Sequence, residues 1–274
     1  MSGFSIDWLD QREGADNRAR DDGLLDKAKH WLRSNTTPAS EKTVVDLGSG
    51  TGSTLRAFTA QGTEQEPLNW RLVDQDAALL KEANLRHGGS QQLKTFELNL
   101  ANISALPLEN ANLITASALF DLVSVGFIDS LVSELQSKCQ QQPVGFYAAL
   151  NYDGKTNWTP SHPLDDAILD AFNRDQQRDK GFGQALGPKA GTYMEQLFKG
   201  LGFKVFSANS PWVLNGYDID MVTALINGIA GAVAQDPTLD TAALEDWAQF
   251  RKAHSSTGTC TVGHTDLLAL PNIG

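Results

Sequence analysis

The stretch Val44-Val45-Asp46-Leu47-Gly48-Ser49-Gly50-Thr51-Gly52-Ser53-Thr54-Leu55-Arg56-Ala57-Phe58 constrains this chain more than any other part of it. A β-branched run delivers an aspartate, glycines follow at alternate positions, and Leu55 and Phe58 then open an apolar pattern at helical spacing. Glycine lets the backbone turn tightly and come close to a ligand, while the start of the next helix presents unpaired N–H groups. The segment therefore reads as strand, ligand loop and helix, the unit that opens a parallel sheet whose ligands lie beyond the strand carboxyl ends. Two common nucleotide loops are excluded by spacing. A dinucleotide fingerprint needs G-x-G-x-x-G, but Ser53 stands where its last glycine belongs, and no Gly-Lys-Ser/Thr follows to make a phosphate loop.

The rest of the chain extends this unit into an α/β sheet. Short apolar runs at Thr43–Leu47, Trp70–Val73, Leu93–Leu98, Ala111–Thr115 and Val144–Leu150 alternate with helical patterns, as βαβ units do. Helices are predicted over 22–33, 76–86, from Pro163 onward, and near 217–234 and 241–253. Asp76 is placed to cap the second of these, and Asp165 and Asp166 suit the first turn of the third. Strand signals return at Phe203–Phe206 and Thr259–Leu270. With 274 residues, 41% of them apolar and no repeat or Pro/Gly/Ser-rich linker, one core is expected. It divides into a helical N-terminal cap (1–40), a ligand-binding core (41–150) and a second half (151–274) with a helical insertion at about 210–257.

Charge and composition narrow the partners. The 22 Lys and Arg against 33 Asp and Glu leave a formal charge of −11, with the basic residues scattered, which disfavours nucleic acid. The most apolar stretch, Met221 to Ala234, is shorter than the ~20 residues a spanning helix needs, so no membrane helix is expected. No apolar leader follows Met1, and a cytoplasmic location is expected. Cys139 and Cys260 stand alone and read as buried thiols. No metal site is expected, because none of the five histidines has ligand spacing.

In Val45-Asp46-Leu47-Gly48-Ser49-Gly50-Thr51-Gly52, an acidic residue precedes G-x-G-x-G, and this resembles the first motif of class I S-adenosylmethionine-dependent methyltransferases. The resemblance covers about residues 43–150. It implies a Rossmann-like, seven-stranded mixed sheet of order 3-2-1-4-5-7-6 with helices on both faces, and S-adenosylmethionine as cofactor. It assigns Asp46, Gly48, Ser49, Gly50 and Gly52 to the cofactor loop, and Asp74, ending the second strand, to the ribose hydroxyls. A carboxylate suits that role, since two acceptor oxygens match two vicinal hydroxyls; the plainer reading of Asp74 is a helix cap. Gln75 falls beside the adenosine, Asn99 and Leu100 take the adenine position with Asn99 replacing the usual acid, and Ser117 lies near the methionine part. Arg12, with Arg18 and Arg20, either folds over the site to meet the cofactor carboxylate or lies on the surface. Trp8–Glu13, Asn151–Gly154 and Asp179–Gly183 are similar to a bacterial subgroup of these enzymes.

The acceptor is less legible. The Asn/Asp-Pro-Pro-aromatic signature of base methylation is missing where Ser117-Ala118-Leu119-Phe120 stands, so a small-molecule acceptor is expected. Tyr152, Asp153, Asn173, Arg178, Lys180 and Phe182 are the candidate lining residues, and an Arg-Lys cluster there favours an acidic substrate; the same segment also reads as a solvated helix end. His162 has the ordinary pKa of a general base, yet its position before Pro163 equally suits a helix entry. His264 reads as a packed residue, His30, His87 and His254 as exposed ones, and Trp158, Trp212 and Trp247 as core or pocket. Two alternatives share these features: a non-catalytic protein that binds the same cofactor, and a nicotinamide-dependent oxidoreductase.

Overall fold

In the computed structural model, which describes residues 4–34, 42–60, 68–138 and 143–272, the β-branched run becomes β1 (Lys42–Leu47), a central strand buried along its whole length. Burial on both faces explains why apolar side chains stand at the adjacent positions Val44 and Val45 rather than at alternate ones. Val44 and Val45 point to opposite sides and enter different cores, as the two-residue period of a strand requires. β1 pairs in parallel with β2 (Leu68–Asp74) on one side and β4 (Leu113–Ser117) on the other. β3 (Gln92–Glu97) adds outside β2, and β5 (Gly145–Thr159) outside β4.

The sheet then closes with antiparallel pairing. β8 (Thr259–Leu270) lies between β5 and β6 (Lys204–Asn209), giving the order β3-β2-β1-β4-β5-β8-β6. This is the expected arrangement with one strand more than the seven the resemblance implies. The extra strand is β7 (Trp212–Leu214), only three residues long, which pairs with the part of β8 that runs past β6. So short a strand leaves no periodic pattern to find. β5 also exceeds its predicted run, because its outer half, paired with β8, is polar but for Trp158 and alternates half-buried with exposed residues.

Helices cover both faces. One core gathers Leu24, Ala28 and Leu32 of α2 (Asp22–Ser34), Leu55 and Phe58 of α3 (Ser53–Thr59), and Leu80 and Ala83 of α4 (Ala77–His87) against Val44, Trp70 and Tyr147. The opposite core sets Ile128 and Leu131 of α5 (Val125–Lys138) and Met194 and Phe198 of α7 (Ala190–Gly200) against Val45, Ile114 and Phe146. Asp76 caps α4 as expected, accepting from the backbone N–H of Ala78 and Leu79. α6 (Asp165–Gln176), α8 (Ile219–Val233) and α9 (Thr241–Ala253) extend the first core beyond the sheet edge. The N-terminal segment forms α1 (Ile6–Ala19), capped by Ser5, and it lies over the carboxyl ends of the strands. Among the described residues no helix is long and apolar enough to cross a membrane.

Candidate functional site

Two features meet at the carboxyl edge of the sheet: the glycine loop after β1 and a cavity beyond β4 and β5. In the loop, Gly48, Gly50 and Gly52 all have positive φ, at 62°, 53° and 86°. A side chain is strained in that region, so the alternating glycines are a backbone requirement of the bend. Asp74, at the end of β2, accepts the Gly50 N–H through Oδ2 at 2.9 Å and the Asp76 N–H through Oδ1 at 3.0 Å. Burial raises its pKa. Each oxygen keeps a second lone-pair direction for a further donor. Ser49 is buried with its hydroxyl unpartnered. Gln75 and Asn99 are exposed beside the loop; Asn99 turns its side-chain carbonyl back to the Ala101 N–H, while Leu100 packs under Gly48.

Asp46 differs from its loop neighbours. It points into the protein, accepts the Thr115 hydroxyl at 2.7 Å through Oδ1, and leaves Oδ2 buried without a partner. Its place is beneath the loop, where it ties β1 to β4. Burial pushes its pKa up to about 7. A carboxyl whose folded pKa exceeds its unfolded value of about 3.9 binds its proton more tightly in the folded state, so its contribution to stability falls as pH rises from about 4 to about 7 and is constant above. The stability advantage of the wild type over Asp46→Asn is expected to shrink as urea unfolding is followed from about pH 5 to about pH 8. A pH-independent difference would show that Asp46 is ionised throughout.

The three N-terminal arginines have different places. Arg18 is exposed and pairs with Asp218 at 2.6 Å. Arg12 is buried, holds Asp16 through two hydrogen bonds of 2.8 and 3.0 Å, and lies over the Trp212 ring at 4.9 Å. Arg20, the C-cap of α1, is buried over Tyr147 and donates from Nη2 to the Ser117 hydroxyl at 3.1 Å. Its Nε and Nη1 have no partner. Of the three, Arg20 is therefore the one with free donors at the ends of β4 and β5. α1 itself is fastened over the loop: Leu9 sits against Gly50, Glu13 pairs with Arg56, and Asp10 pairs with Arg86 at 2.7 Å.

The cavity measures about 620 Å³. Its walls are largely apolar and aromatic, with Trp8, Tyr152, Phe172, Trp212, Leu225 and Ile229 drawn from α1, β5, α6, β7 and α8. Arg12, Asp121, Gln176, Lys180 and His264 supply the polar groups. Ala118, just past β4, and Leu150, at the register shift within β5, both line it and carry positive φ, at 51° and 56°. Such backbone strain in non-glycine residues is concentrated at functional sites. Burial lowers the His264 pKa to about 4, so this imidazole is neutral at physiological pH.

Of the expected acceptor residues, Tyr152 and Lys180 line this cavity, and the others do not. Asn173 acts one layer back, accepting from the Tyr152 hydroxyl at 3.0 Å and donating to the Gly154 carbonyl. Phe182 packs edge-on against Phe127, and Asp153 lies in a separate groove with Lys155. The cations of the basic cluster have acidic partners: Arg174 pairs with Asp236, while Arg178 and Lys180 share Asp175. His162 is a helix-entry residue. Its N–H donates to Asp165, its Nδ1 accepts from Leu164, and its ring lies against Phe250. Cys260 is buried, and Cys139 lies outside the described residues. The sequence reading passed over Asp121, though an acid four residues beyond β4, at the expected ligand edge, was a usable signal. Phe4 and Trp8 give no comparable one, since nothing local shows that α1 folds across the strand ends.

No family model and no curated protein matches the chain. Solved structures do. Cyclopropane synthase MmaA2 from Mycobacterium tuberculosis aligns at a TM-score of 0.49 and 11% identity, covering 97% of this chain and 94% of its own. Coclaurine N-methyltransferase, bound to N-methylheliamine and SAH, aligns at 0.49 and 10%, covering 99% and 80%. A putative methyltransferase from Bacillus halodurans aligns at 0.47 and 14%, covering 90% and 99%. The strand order itself decides the architecture. The fold is of the class I methyltransferase type. At such identities the chemistry has to be argued from this chain's own residues.

Proposed function

We propose that this protein binds S-adenosylmethionine at the loop after β1 and transfers its methyl group to a small organic molecule held in the adjoining cavity. The observation that carries the reading is the junction of loop and carboxylate: three positive-φ glycines bring the backbone to the strand edge, and Asp74 of the neighbouring strand reaches that same backbone at Gly50. The cofactor supplies a methyl group already activated on a sulfonium, so the protein needs no covalent nucleophile.

Its residues bind and align instead. Asp74 offers its remaining lone pairs to the ribose hydroxyls. Ser49 supplies a buried hydroxyl beside the loop backbone. Arg20, whose Nε and Nη1 have no hydrogen-bond partner, takes the carboxylate of the methionine part, a role the sequence reading offered to Arg12, Arg18 and Arg20 alike; Arg12 is held by Asp16 instead. Tyr152, fixed by Asn173, presents its ring to the acceptor.

Calorimetric titration with S-adenosylhomocysteine and with NADH tests this directly. Binding of the former and not of the latter is expected, and NADH binding alone would turn the reading to an oxidoreductase. Arg20→Met is expected to weaken S-adenosylhomocysteine about tenfold, the share of one charge-assisted hydrogen bond. An unchanged affinity would remove Arg20 from the site.

A further inference from the structure

The charges around the cavity do not cancel. On α1, Arg12 is matched by Asp16, which also accepts the Trp212 indole N–H at 2.9 Å. Lys180 is matched by Asp175 at 2.7 Å. His264 of β8, buried between Trp212 and Tyr152, is uncharged. Asp179, at the rim, is taken up by the backbone N–H groups of Gly181 and Gly183. Of the two acids that line the cavity, Asp179 and Asp121, Asp121 is the one with a buried oxygen left unpartnered. Asp121, in the turn after β4, lines the cavity, is only 7% exposed, and has a buried carboxylate oxygen, Oδ1, with no hydrogen-bond partner.

A buried acid without a partner costs stability in the empty protein, by an amount that a bound donor returns. The surrounding rings favour one kind of donor. Trp8, Tyr152 and Phe172 offer aromatic surface of the kind that attracts a cation and takes a hydrocarbon body, the Trp212 ring being already covered by Arg12. From this arrangement we propose that the acceptor is an amphipathic amine, its apolar body enclosed by the aromatic walls and its ammonium group held by Asp121; the carboxylate takes one ammonium proton, the freed nitrogen lone pair displaces the methyl group from the sulfonium, and S-adenosylhomocysteine leaves as the neutral thioether. This rests on the methyl-transfer reading above and names the substrate class of that site. It replaces the acidic substrate expected from the Arg-Lys cluster, because those cations are already paired and Asp121 repels a carboxylate. Burial pushes the Asp121 pKa up to about 6, against the pull of the nearby Arg12 charge. The cavity volume suits a molecule of one or two rings.

The test uses three probes of one shape, 3-phenylpropylamine, 3-phenylpropanol and 4-phenylbutyrate, titrated calorimetrically into the full chain with and without S-adenosylhomocysteine. The amine is expected to bind at least tenfold more tightly than the alcohol, with the carboxylate weakest. In Asp121→Asn, which keeps the side-chain shape, the amine is expected to lose about tenfold and the alcohol to be unchanged. Equal amine and alcohol affinity in the wild type, preference for the carboxylate, or no amine binding at about 10 mM would overturn the proposal without any variant being made. S-adenosylhomocysteine affinity, read in the same experiment, separates the two readings. If it binds and the amine does not, only the substrate class falls; if it fails to bind, the methyl-transfer reading falls and the amine data stand as binding alone.

Discussion

Replacing Asp74 by alanine is expected to weaken S-adenosylhomocysteine binding by roughly 10- to 100-fold, measured by calorimetry. Two losses add. The variant removes the acceptor proposed for the ribose hydroxyls, and it frees the Gly50 N–H that Asp74 now holds at 2.9 Å. The second loss acts on the loop shape, because Gly48, Gly50 and Gly52 are the residues of the chain freest to leave their positive-φ conformation once the tie is gone. Asp74→Asn separates the two. Its amide oxygen still accepts one backbone N–H, so the loop keeps its bend while the charge is lost, and an intermediate affinity is expected. Full affinity in Asp74→Ala would mean that the carboxylate serves only α4 and the loop, and the cofactor reading would lose its main support.

The loop was legible from sequence because its requirements are local. A positive φ favours glycine and a buried central strand favours β-branched residues, so Gly48, Gly50 and Gly52 show themselves without knowledge of the fold, whereas Asp74 was picked out by the family resemblance. The parallel part of the sheet followed from the same periodicity. β7 and the outer half of β5 did not, since both owe their pairing to β8, which is remote in sequence. The cavity was less legible still. Its walls come from six elements spread from Trp8 to His264, and whether a polar residue faces it depends on partners far away. Arg12 illustrates the point. The sequence shows an arginine near the site, but only the folded chain shows Asp16 and Trp212 holding it, and Arg20 left with free donors. The segment 173–183 erred in the same way: its cations were visible, but not that Arg178 and Lys180 fold onto Asp175 or that the remote Asp236 takes Arg174.

A second large effect is expected far from the cofactor loop, at Arg251. This residue of α9 has a side chain only 2% exposed; it pairs with both carboxylate oxygens of Asp165, donates to the Pro160 carbonyl at 2.6 Å, and is enclosed by the rings of Trp158, Trp247 and Phe250. Asp165 in turn accepts from the Trp247 indole N–H and from the His162 N–H, so one ion pair joins the start of α6 to the last turn of α9. Breaking a buried pair from one side costs about 3–5 kcal/mol, because the remaining charge stays desolvated. Arg251→Met is thus expected to lower the melting temperature by on the order of 10 °C. Adding Asp165→Asn should recover part of that loss, since it removes the orphaned charge, and a double variant no better than the single one would show that lost stacking rather than lost pairing dominates. The two halves of the site should also respond differently. α6 and α8 carry Phe172, Gln176, Leu225 and Ile229 of the cavity wall, whereas the glycine loop and Asp74 rest on β1 and β2. Below its melting point, Arg251→Met should therefore bind S-adenosylhomocysteine as the wild type does while losing affinity for 3-phenylpropylamine, the reverse of what Asp74→Ala should do.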